Sequence, residues 1–197
     1  MDEEIEVLSR SEIKEMISRA KKLRDKAFIA FLYLSGARVG EVCRRIRRRD
    51  FWIEGPFLVV QIVTEKIRRT KKGKRKRTSK RNIPIPLDDP LTHVILRYLK
   101  EIGPDDVCWP FSQQYARRLV KKLGGPHVYP HLFRHSRITH LIVDYGFNQF
   151  DLKRFAGWSD IRPIKFYEHL MWQDYASKLQ GLQGEGFKKL RRSVSHV

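Results

Sequence analysis

The stretch His131-Leu132-Phe133-Arg134-His135 places three cationic or titratable side chains at the start of an amphipathic segment. The apolar residues that follow have the spacing of the buried face of a helix, and they are Ile138, Leu141, Ile142 and Tyr145. That face, extended backwards, reaches the two histidines and the arginine, whose burial is costly unless a partner satisfies them. The pattern predicts a helix whose first turn lines a cationic cleft for a phosphate, with Pro130 at its start. The alternative is a half-exposed helix end that carries polar side chains.

Three further helices are predicted ahead of this stretch. Ser9 and Glu12 fit a capping box at the start of an amphipathic segment. The apolar run at residues 27–34 is typical of a buried helix, and Gly36 is expected to end it. A short helix then begins near Arg38 and carries Glu41 on the same face, three residues further on.

After residue 50 the hydrophobic period becomes that of strands. Residues 51–53 and 57–63 are predicted to form the first two strands. Ile83 and Ile85 alternate with prolines, and proline cannot donate a hydrogen bond to a neighbouring strand. A third strand is therefore expected at the edge of the sheet.

The segment between the second and third strands is the most basic part of the chain. Eleven of the sixteen residues from Lys66 to Arg81 are Lys or Arg, and Gly73 is the expected turn. The remainder is predicted to be helical, in segments bounded by Pro, Gly, Ser or Asn. These segments are residues 90–102, 112–123, 131–145, 148–156 and 160–169. The sequence thus predicts a mixed α/β fold that is mostly α-helical.

The chain as a whole carries 41 Lys and Arg residues against 22 Asp and Glu residues, a formal net charge of +19. Such an excess disfavours a compact monomer unless a polyanion neutralises it. Nucleic acid is the first candidate partner and an anionic membrane surface the second. The longest apolar run, residues 27–34, is far shorter than the roughly 20 residues that span a bilayer. Nucleic acid is therefore the expected partner, and no membrane is expected.

Cys43 and Cys108 are too few to indicate a disulfide framework or a zinc site. The acidic start of the chain lacks the basic and apolar regions of a secretory signal. We expect a reduced, cytoplasmic protein that uses no metal and no cofactor.

Four sequence boxes together resemble the catalytic domain of the tyrosine recombinase (phage integrase) family. They are the Gly-x-Arg-x-x-Glu box at residues 36–41, the His-x-x-Arg-His box at residues 131–135, Gly157-Trp158, and Tyr167 nine residues after that tryptophan. The resemblance covers about residues 8 to 170, with the boxes in the family's order. It implies that family's catalytic-domain fold, with a small three-stranded antiparallel sheet. We expect this domain in residues 1–180, followed by a basic C-terminal tail or exchanged arm in residues 181–197.

The resemblance implies a site-specific DNA recombinase that cleaves and rejoins strands without metal. Arg38 and Arg134 would stabilise the charge on the phosphate through bidentate hydrogen bonds. Tyr167 would be the nucleophile, forming a 3′-phosphotyrosyl link and freeing a 5′-hydroxyl. His131 is the candidate general base for the phenol. Trp158 can donate one hydrogen bond but cannot transfer a proton usefully, so a positioning role is expected there.

The resemblance also implies a lysine on the basic hairpin as the general acid for the leaving oxygen. Lys66 is the first choice, and Lys71, Lys72 and Lys74 remain alternatives. Glu41 is expected to orient active-site groups, and His135 to support its helix through hydrogen bonds rather than to touch substrate. Further DNA-phosphate contacts are predicted at Arg44, Arg45, Arg68, Arg69, Lys71, Lys72, Lys74, Arg117 and Lys121.

Such recombinases act as a homo-tetramer on two duplexes, exchanging strands through a Holliday junction. We expect that assembly on DNA, a monomer or weak oligomer when free, and a location at the nucleoid. Residues 171–197 are expected to supply a helix exchanged between protomers. An N-terminal DNA-clamping domain is missing from the usual plan, so the chain is expected to be a minimal enzyme or an excised fragment.

Two other functions are compatible with the same residues. One is a type IB topoisomerase-like enzyme that nicks and reseals DNA without strand exchange. The other is a non-catalytic DNA- or RNA-binding protein that retains the fold. The DNA site itself cannot be read from the sequence, because base readout depends on docking geometry.

Overall fold

The computed structural model describes residues 6–70 and 73–168, and between residues 65 and 77 it describes the backbone alone. The described helices, in chain order, are α1 Arg10–Arg19, α2 Leu23–Ser35, α3 Val39–Val42, α4 Pro90–Leu99, α5 Gln113–Gly124, α6 Pro130–Val143 and α7 Gln149–Ala156. The described strands are β1 Phe51–Glu54, β2 Phe57–Thr70 and β3 Gly73–Pro86. Two 3-10 helices lie at Arg48–Asp50 and Arg162–Tyr167.

Helix α2 is the buried centre of the fold, and it packs against α1, α4 and α6. Every residue from Ala27 to Leu34 is fully buried, because the helix is apolar on all sides and is covered on all sides. The Trp109 ring stacks on Phe31 with 4.7 Å between ring centroids. Gly36 ends the helix in the left-handed conformation, with φ of 55°. The predicted buried helix and its stop are confirmed.

Helix α1 begins at the predicted capping box. The Ser9 hydroxyl accepts from the Glu12 N–H, and the Glu12 carboxylate accepts from the Ser9 N–H. Two backbone donors that the helix itself leaves unsatisfied are thereby paired.

The three strands form one antiparallel sheet in the order β1-β2-β3, so the predicted edge position of the third strand is confirmed. The predicted lengths of β2 and β3 were wrong. Each strand has 14 residues and runs into the basic tract, where Thr70 pairs with Gly73. The prediction ended β2 at residue 63 because it used apolar residues alone. Strand propensity depends strongly on context, so a basic segment can continue a strand that an apolar segment begins.

Helices α6 and α7 enclose a second, smaller apolar cluster. Its buried members are Ile138, Leu141, Ile142, Leu152, Ala156 and Tyr167. Tyr145, which was predicted on the same buried face, is instead 53% exposed, because α6 ends at Val143. The segment predicted as a helix at 160–169 is described as the 3-10 helix Arg162–Tyr167. This arrangement places Tyr167 against the face of α6 that begins with the His-x-x-Arg-His box.

Residues 169–197 lie outside the described part of the chain. The predicted tail at 181–197 and the exchanged helix at 171–197 therefore remain predictions. Among the residues that are described, no helix is long and apolar enough to cross a membrane.

Candidate active site

Arg134 is the buried centre of the candidate site. Its side chain donates from Nη1 to the Gly36 carbonyl at 2.8 Å and from Nη2 to the Ala156 carbonyl at 2.7 Å. The guanidinium also lies over the Trp158 ring, 5.8 Å from its centroid. Burial, and then the charge of Arg38, lower the pKa of Arg134 to about 9, which leaves it cationic at neutral pH. One cation thus ties the ends of α2 and α7 to the first turns of α6.

Tyr167 is brought to this cation by the 3-10 helix. Its hydroxyl lies 2.6 Å from His135 Nδ1, and its ring stacks on Trp158 with 6.3 Å between centroids. The side chain is only 2% exposed. Burial raises the pKa of Tyr167 to about 12, and the positive charge of Arg134 opposes that rise. The phenol is therefore protonated at rest and needs an acceptor in order to attack.

From the sequence, His135 is expected to support its helix through hydrogen bonds rather than to touch substrate, and that role stays a prediction. Its imidazole contacts the Tyr167 hydroxyl directly, whereas the predicted base was His131. Burial, and then the charge of Arg134, lower the pKa of His135, so its ring is neutral near pH 7. With Nε2 protonated, Nδ1 is free to accept the phenol proton. His131 and His135 are about one helical turn apart on α6. The path of the segment that carries Tyr167 therefore determines which of the two histidines the Tyr167 hydroxyl contacts.

His131 instead faces the open side of the site. It meets His135 edge to face, with 4.6 Å between ring centroids, and it lines the cleft described below. Partial burial of the ring, and then the charges of His135, Arg134 and Arg38, lower its pKa to about 4. A neutral imidazole at the cleft wall is suited to hydrogen bonding with a phosphate oxygen or a leaving group.

Glu41 contacts Arg38, the residue three positions before it, through both of its carboxylate oxygens. Arg38 is the N-cap of α3, and its Nη1 donates to Glu41 Oε1 at 3.0 Å while its backbone N–H donates to Oε2 at 3.0 Å. Thr64 of β2 donates to Glu41 Oε1 at 2.7 Å. Burial alone would raise the pKa of Glu41, but the contacts with Arg81, Arg38 and Thr64 outweigh it and hold the pKa at about 2. The carboxylate is therefore an anion at every pH of interest.

Arg81 is a site residue that the sequence reasoning missed, since it was one of eleven basic residues in the hairpin tract. Its guanidinium donates a hydrogen bond to each carboxylate oxygen of Glu41, from Nη2 to Oε2 at 2.7 Å and from Nη1 to Oε1 at 3.2 Å. A signal was present in the alternation of β3. Ile83 and Ile85 face the core, and the same face two residues earlier is occupied by Arg81.

A cleft of about 820 Å³ opens beside these residues, between α3, α5 and the start of α6. Five predicted phosphate-contacting or catalytic side chains line it, namely Arg38, Arg45, Arg117, Lys121 and His131. Tyr129 also lines the cleft and is 46% exposed. Tyr167 is not among the residues that line it. The cleft therefore presents cations to solvent while the candidate nucleophile stays behind its wall.

The structure describes the side chains of only some of the remaining residues that were predicted to contact DNA. Arg44 is exposed and has a left-handed backbone, with φ of 60°. Only the backbone is described for four residues on the hairpin, which are Lys66, Arg68, Arg69 and Lys74. Lys71 and Lys72 lie outside the described residues. The choice of the catalytic lysine therefore remains a prediction.

Metal ligands were not predicted, and the described part of the chain contains no group of three or more His, Cys, Asp or Glu residues arranged to hold a metal ion.

The sequence profile of the phage integrase family matches residues 6–173. Tyrosine recombinase XerA of Pyrococcus horikoshii is 34% identical over 149 residues, which are 68% of this chain and 47% of that protein. Tyrosine recombinase XerA of Saccharolobus solfataricus is 26% identical over 175 residues, 87% of this chain and 54% of that protein. The chain spans about half the length of these curated relatives.

Solved structures share the fold at low sequence identity. A crystal structure of XerA recombinase matches with a TM-score of 0.63 and 19% identity, covering 88% of this chain and 65% of that one. The XerH site-specific recombinase, bound to its difH substrate in a pre-cleavage complex, matches with a TM-score of 0.62 and 16% identity, covering 83% and 50%.

The fold and the arrangement of its charged residues define the catalytic domain of a tyrosine recombinase. The chain belongs to the phage integrase family, whose profile matches most of its length. The resemblance inferred from the sequence boxes is confirmed, and so is the predicted mixed, mostly helical fold with a three-stranded antiparallel sheet.

The contact between Gly157 and Arg81 yields a stability prediction. Gly157 has φ of 64°, and a Cβ there would lie 2.9 Å from Arg81 Nη1 and 3.0 Å from its Cδ. Gly55 has φ of 54° with nothing within 4 Å of a Cβ, so it is the matched control. Gly55→Ala should cost about 1–2 kcal/mol of unfolding free energy from backbone strain. Gly157→Ala should cost more, measured by urea denaturation, and equal losses would show that Arg81 does not fill this space.

Proposed function

We propose that this chain is the catalytic domain of a site-specific DNA recombinase that works through a 3′-phosphotyrosyl intermediate. The observation that carries the proposal is the 2.6 Å contact between the Tyr167 hydroxyl and His135, beside the buried Arg134. A nucleophile, a proton acceptor and a cation that attracts phosphate lie together. The names of the curated relatives, tyrosine recombinases, support the same activity.

The scissile phosphate would enter from the cationic cleft and lie between Arg38 and Arg134. Their guanidinium groups can donate to the two non-bridging oxygens, whose charge increases in the transition state. His131, which lines the cleft, and the Trp158 N–H would add hydrogen bonds at the same group. These side chains hold the phosphorus at the position that the attacking oxygen must reach.

Cleavage then forms one bond and breaks another. The Tyr167 oxygen attacks phosphorus, its proton passes to His135 Nδ1, and the bond from phosphorus to the 5′-oxygen breaks. Lys66 is the proposed donor of the proton that the leaving 5′-oxygen takes up. Because Tyr167 is 2% exposed and does not line the cleft, we infer that its segment moves towards the cleft when the phosphate binds.

The substrate and assembly belong to the same proposal. We infer that the partner is double-stranded DNA, held by Arg45, Arg117 and Lys121 in the cleft and by the basic hairpin. The proposal includes a homo-tetramer on two duplexes, because strand exchange needs both strands of each duplex to be cut, and it includes action at the nucleoid of the cytoplasm. Recombination between two site-bearing duplexes, rather than relaxation of supercoils alone, is the outcome that would separate this activity from that of a topoisomerase.

The nucleophile is tested with a nicked suicide duplex that carries a candidate site. Wild-type protein should form an SDS-resistant adduct with EDTA present, and Tyr167→Phe should form none, because the covalent bond needs the phenol oxygen. Tyr129→Phe is the control, since it removes the exposed tyrosine of the cleft and should still form the adduct. An adduct that persists in Tyr167→Phe would overturn the assignment.

The proton acceptor is tested by the pH profile of adduct formation. The neutral imidazole of His135 is the accepting form, and its pKa is lowered, so the rate should rise with pH along a limb below pH 6.5. His135→Phe should lower the rate by roughly 10²- to 10⁴-fold and remove that limb. If His131→Gln removes the limb and His135→Phe keeps it, the acceptor is His131.

The general acid is tested with a 5′-bridging phosphorothiolate, whose sulfur leaves without needing a proton. The Lys66→Ala variant should cleave ordinary DNA at a rate that is lower than the wild-type rate by roughly 10²-fold or more. It should recover most of the wild-type rate on the sulfur substrate. Lys71→Ala and Lys72→Ala are the matched controls on the same hairpin. Rescue of either control, together with a fully active Lys66→Ala, would move the acid to another lysine.

A further inference from the structure

Arg81 connects three parts of the site that are far apart in the sequence. From its position on β3, Arg81 donates hydrogen bonds to the Glu41 carboxylate. Its Nη1 also donates to the Thr64 hydroxyl of β2 at 2.5 Å. Its guanidinium also fills the space beside Gly157, where a Cβ would come within 2.9 Å. Its side chain is 9% exposed, too little to offer a broad surface to DNA. Its contacts are therefore with the site and not with the substrate.

The charge on these groups explains what Arg81 contributes. Glu41 is a single anion that contacts two cations, Arg38 and Arg81, so the three groups carry a net charge of +1. Without Arg81, the carboxylate and Arg38 would form a neutral pair. That pair would stand where the phosphate needs a cation, and Glu41 would compete with the phosphate for the Arg38 guanidinium.

We propose that Arg81 is a positioning residue for DNA cleavage, which neutralises and orients Glu41 so that Arg38 keeps its charge and its free donors for the phosphate. The inference rests on the proposed function. Arg81 itself does not touch the reacting atoms.

A purely structural ion pair accounts for these contacts less well. Replacing a buried ion pair with apolar groups is often neutral or stabilising. Here the Arg81 Nε is also buried without a hydrogen-bond partner among the described residues, which is unfavourable for the folded state. A functional role of Arg81 in the active site explains the presence of this unpaired buried group better than a contribution to stability does.

The test is a double-mutant cycle of Arg81→Met, Glu41→Gln and the double variant. Each replacement keeps approximately the size of the side chain. The single-turnover rate of adduct formation is measured on the suicide duplex at saturating protein. The affinity for DNA is measured separately. Circular dichroism confirms that each variant is folded at the assay temperature, and rates are compared only at temperatures where all are folded.

Arg81→Met should slow cleavage on the order of 10- to 100-fold while DNA affinity changes little, because Arg81 is buried and acts through Glu41. Adding Glu41→Gln should restore part of the loss, since it removes the anion that competes for Arg38. The double variant should therefore be faster than Arg81→Met. The Arg81→Lys variant keeps the positive charge but cannot donate to both Glu41 oxygens in the same way. It should therefore recover part of the cleavage rate that Arg81→Met loses.

A pH comparison supplies a readout that a structural role would not change. The charged groups that face Glu41 are Arg38, Arg81 and Arg134. Loss of Arg81 removes the strongest group that lowers the pKa of Glu41, so that pKa must rise from about 2. Protonation of Glu41 then frees Arg38. The ratio of the wild-type rate to the Arg81→Met rate should therefore shrink as pH falls towards 5.

Arg10→Met is the matched control. It removes an arginine from another ion pair, with Asp89 at 2.8 Å, which lies between α1 and the start of α4. It should leave the cleavage rate unchanged. The proposal is overturned if Arg81→Met cleaves at the wild-type rate, or if the double variant is no faster than Arg81→Met at temperatures where both are folded. Absence of any adduct with the wild-type protein would instead overturn the proposed function.

Discussion

The Glu41 carboxylate is the group on which the rest of the site depends, because it is the anion that allows cations to lie close together. Arg38 and Arg81 contact it directly, and Arg134 experiences its charge from α6. Burying one anion among several cations is favourable only when its oxygens are fully paired. Here five donors pair them, which include the Thr64 hydroxyl and the Arg38 backbone N–H. The surplus of positive charge that remains is what a phosphate would neutralise.

A second constraint separates Tyr167, the proposed nucleophile, from the cleft. Tyr167 lies in the small apolar cluster of α6 and α7, with its hydroxyl on His135, whereas the cationic cleft opens past His131 and Tyr129. Burial raises the pKa of the phenol and favours its protonated form. Under the proposed function, attack therefore requires a shift of the Tyr167 segment towards the cleft.

Local periodicity predicted the described α-helices and the edge position of β3, because burial at a period of 3.6 or 2 is a property of neighbouring residues. The partner of Tyr167 could not be predicted the same way. His131 and His135 share one face of α6, and a contact with either depends on the path of a segment 32 residues away. Arg81 was hidden among ten other basic residues, although its place in the alternation of β3 marks it as inward-facing. Composition alone cannot single out Lys66 for the same reason.

The central claim, that Tyr167 and not the exposed Tyr129 bonds to DNA, is tested most directly by mass spectrometry of the trapped adduct. Digestion with protease and nuclease leaves a short nucleotide on one peptide, whose fragment ions locate the modified residue. The account predicts a nucleotide that is joined through its 3′-phosphate to the Tyr167 oxygen. A nucleotide on Tyr129, or on any residue other than Tyr167, would contradict it.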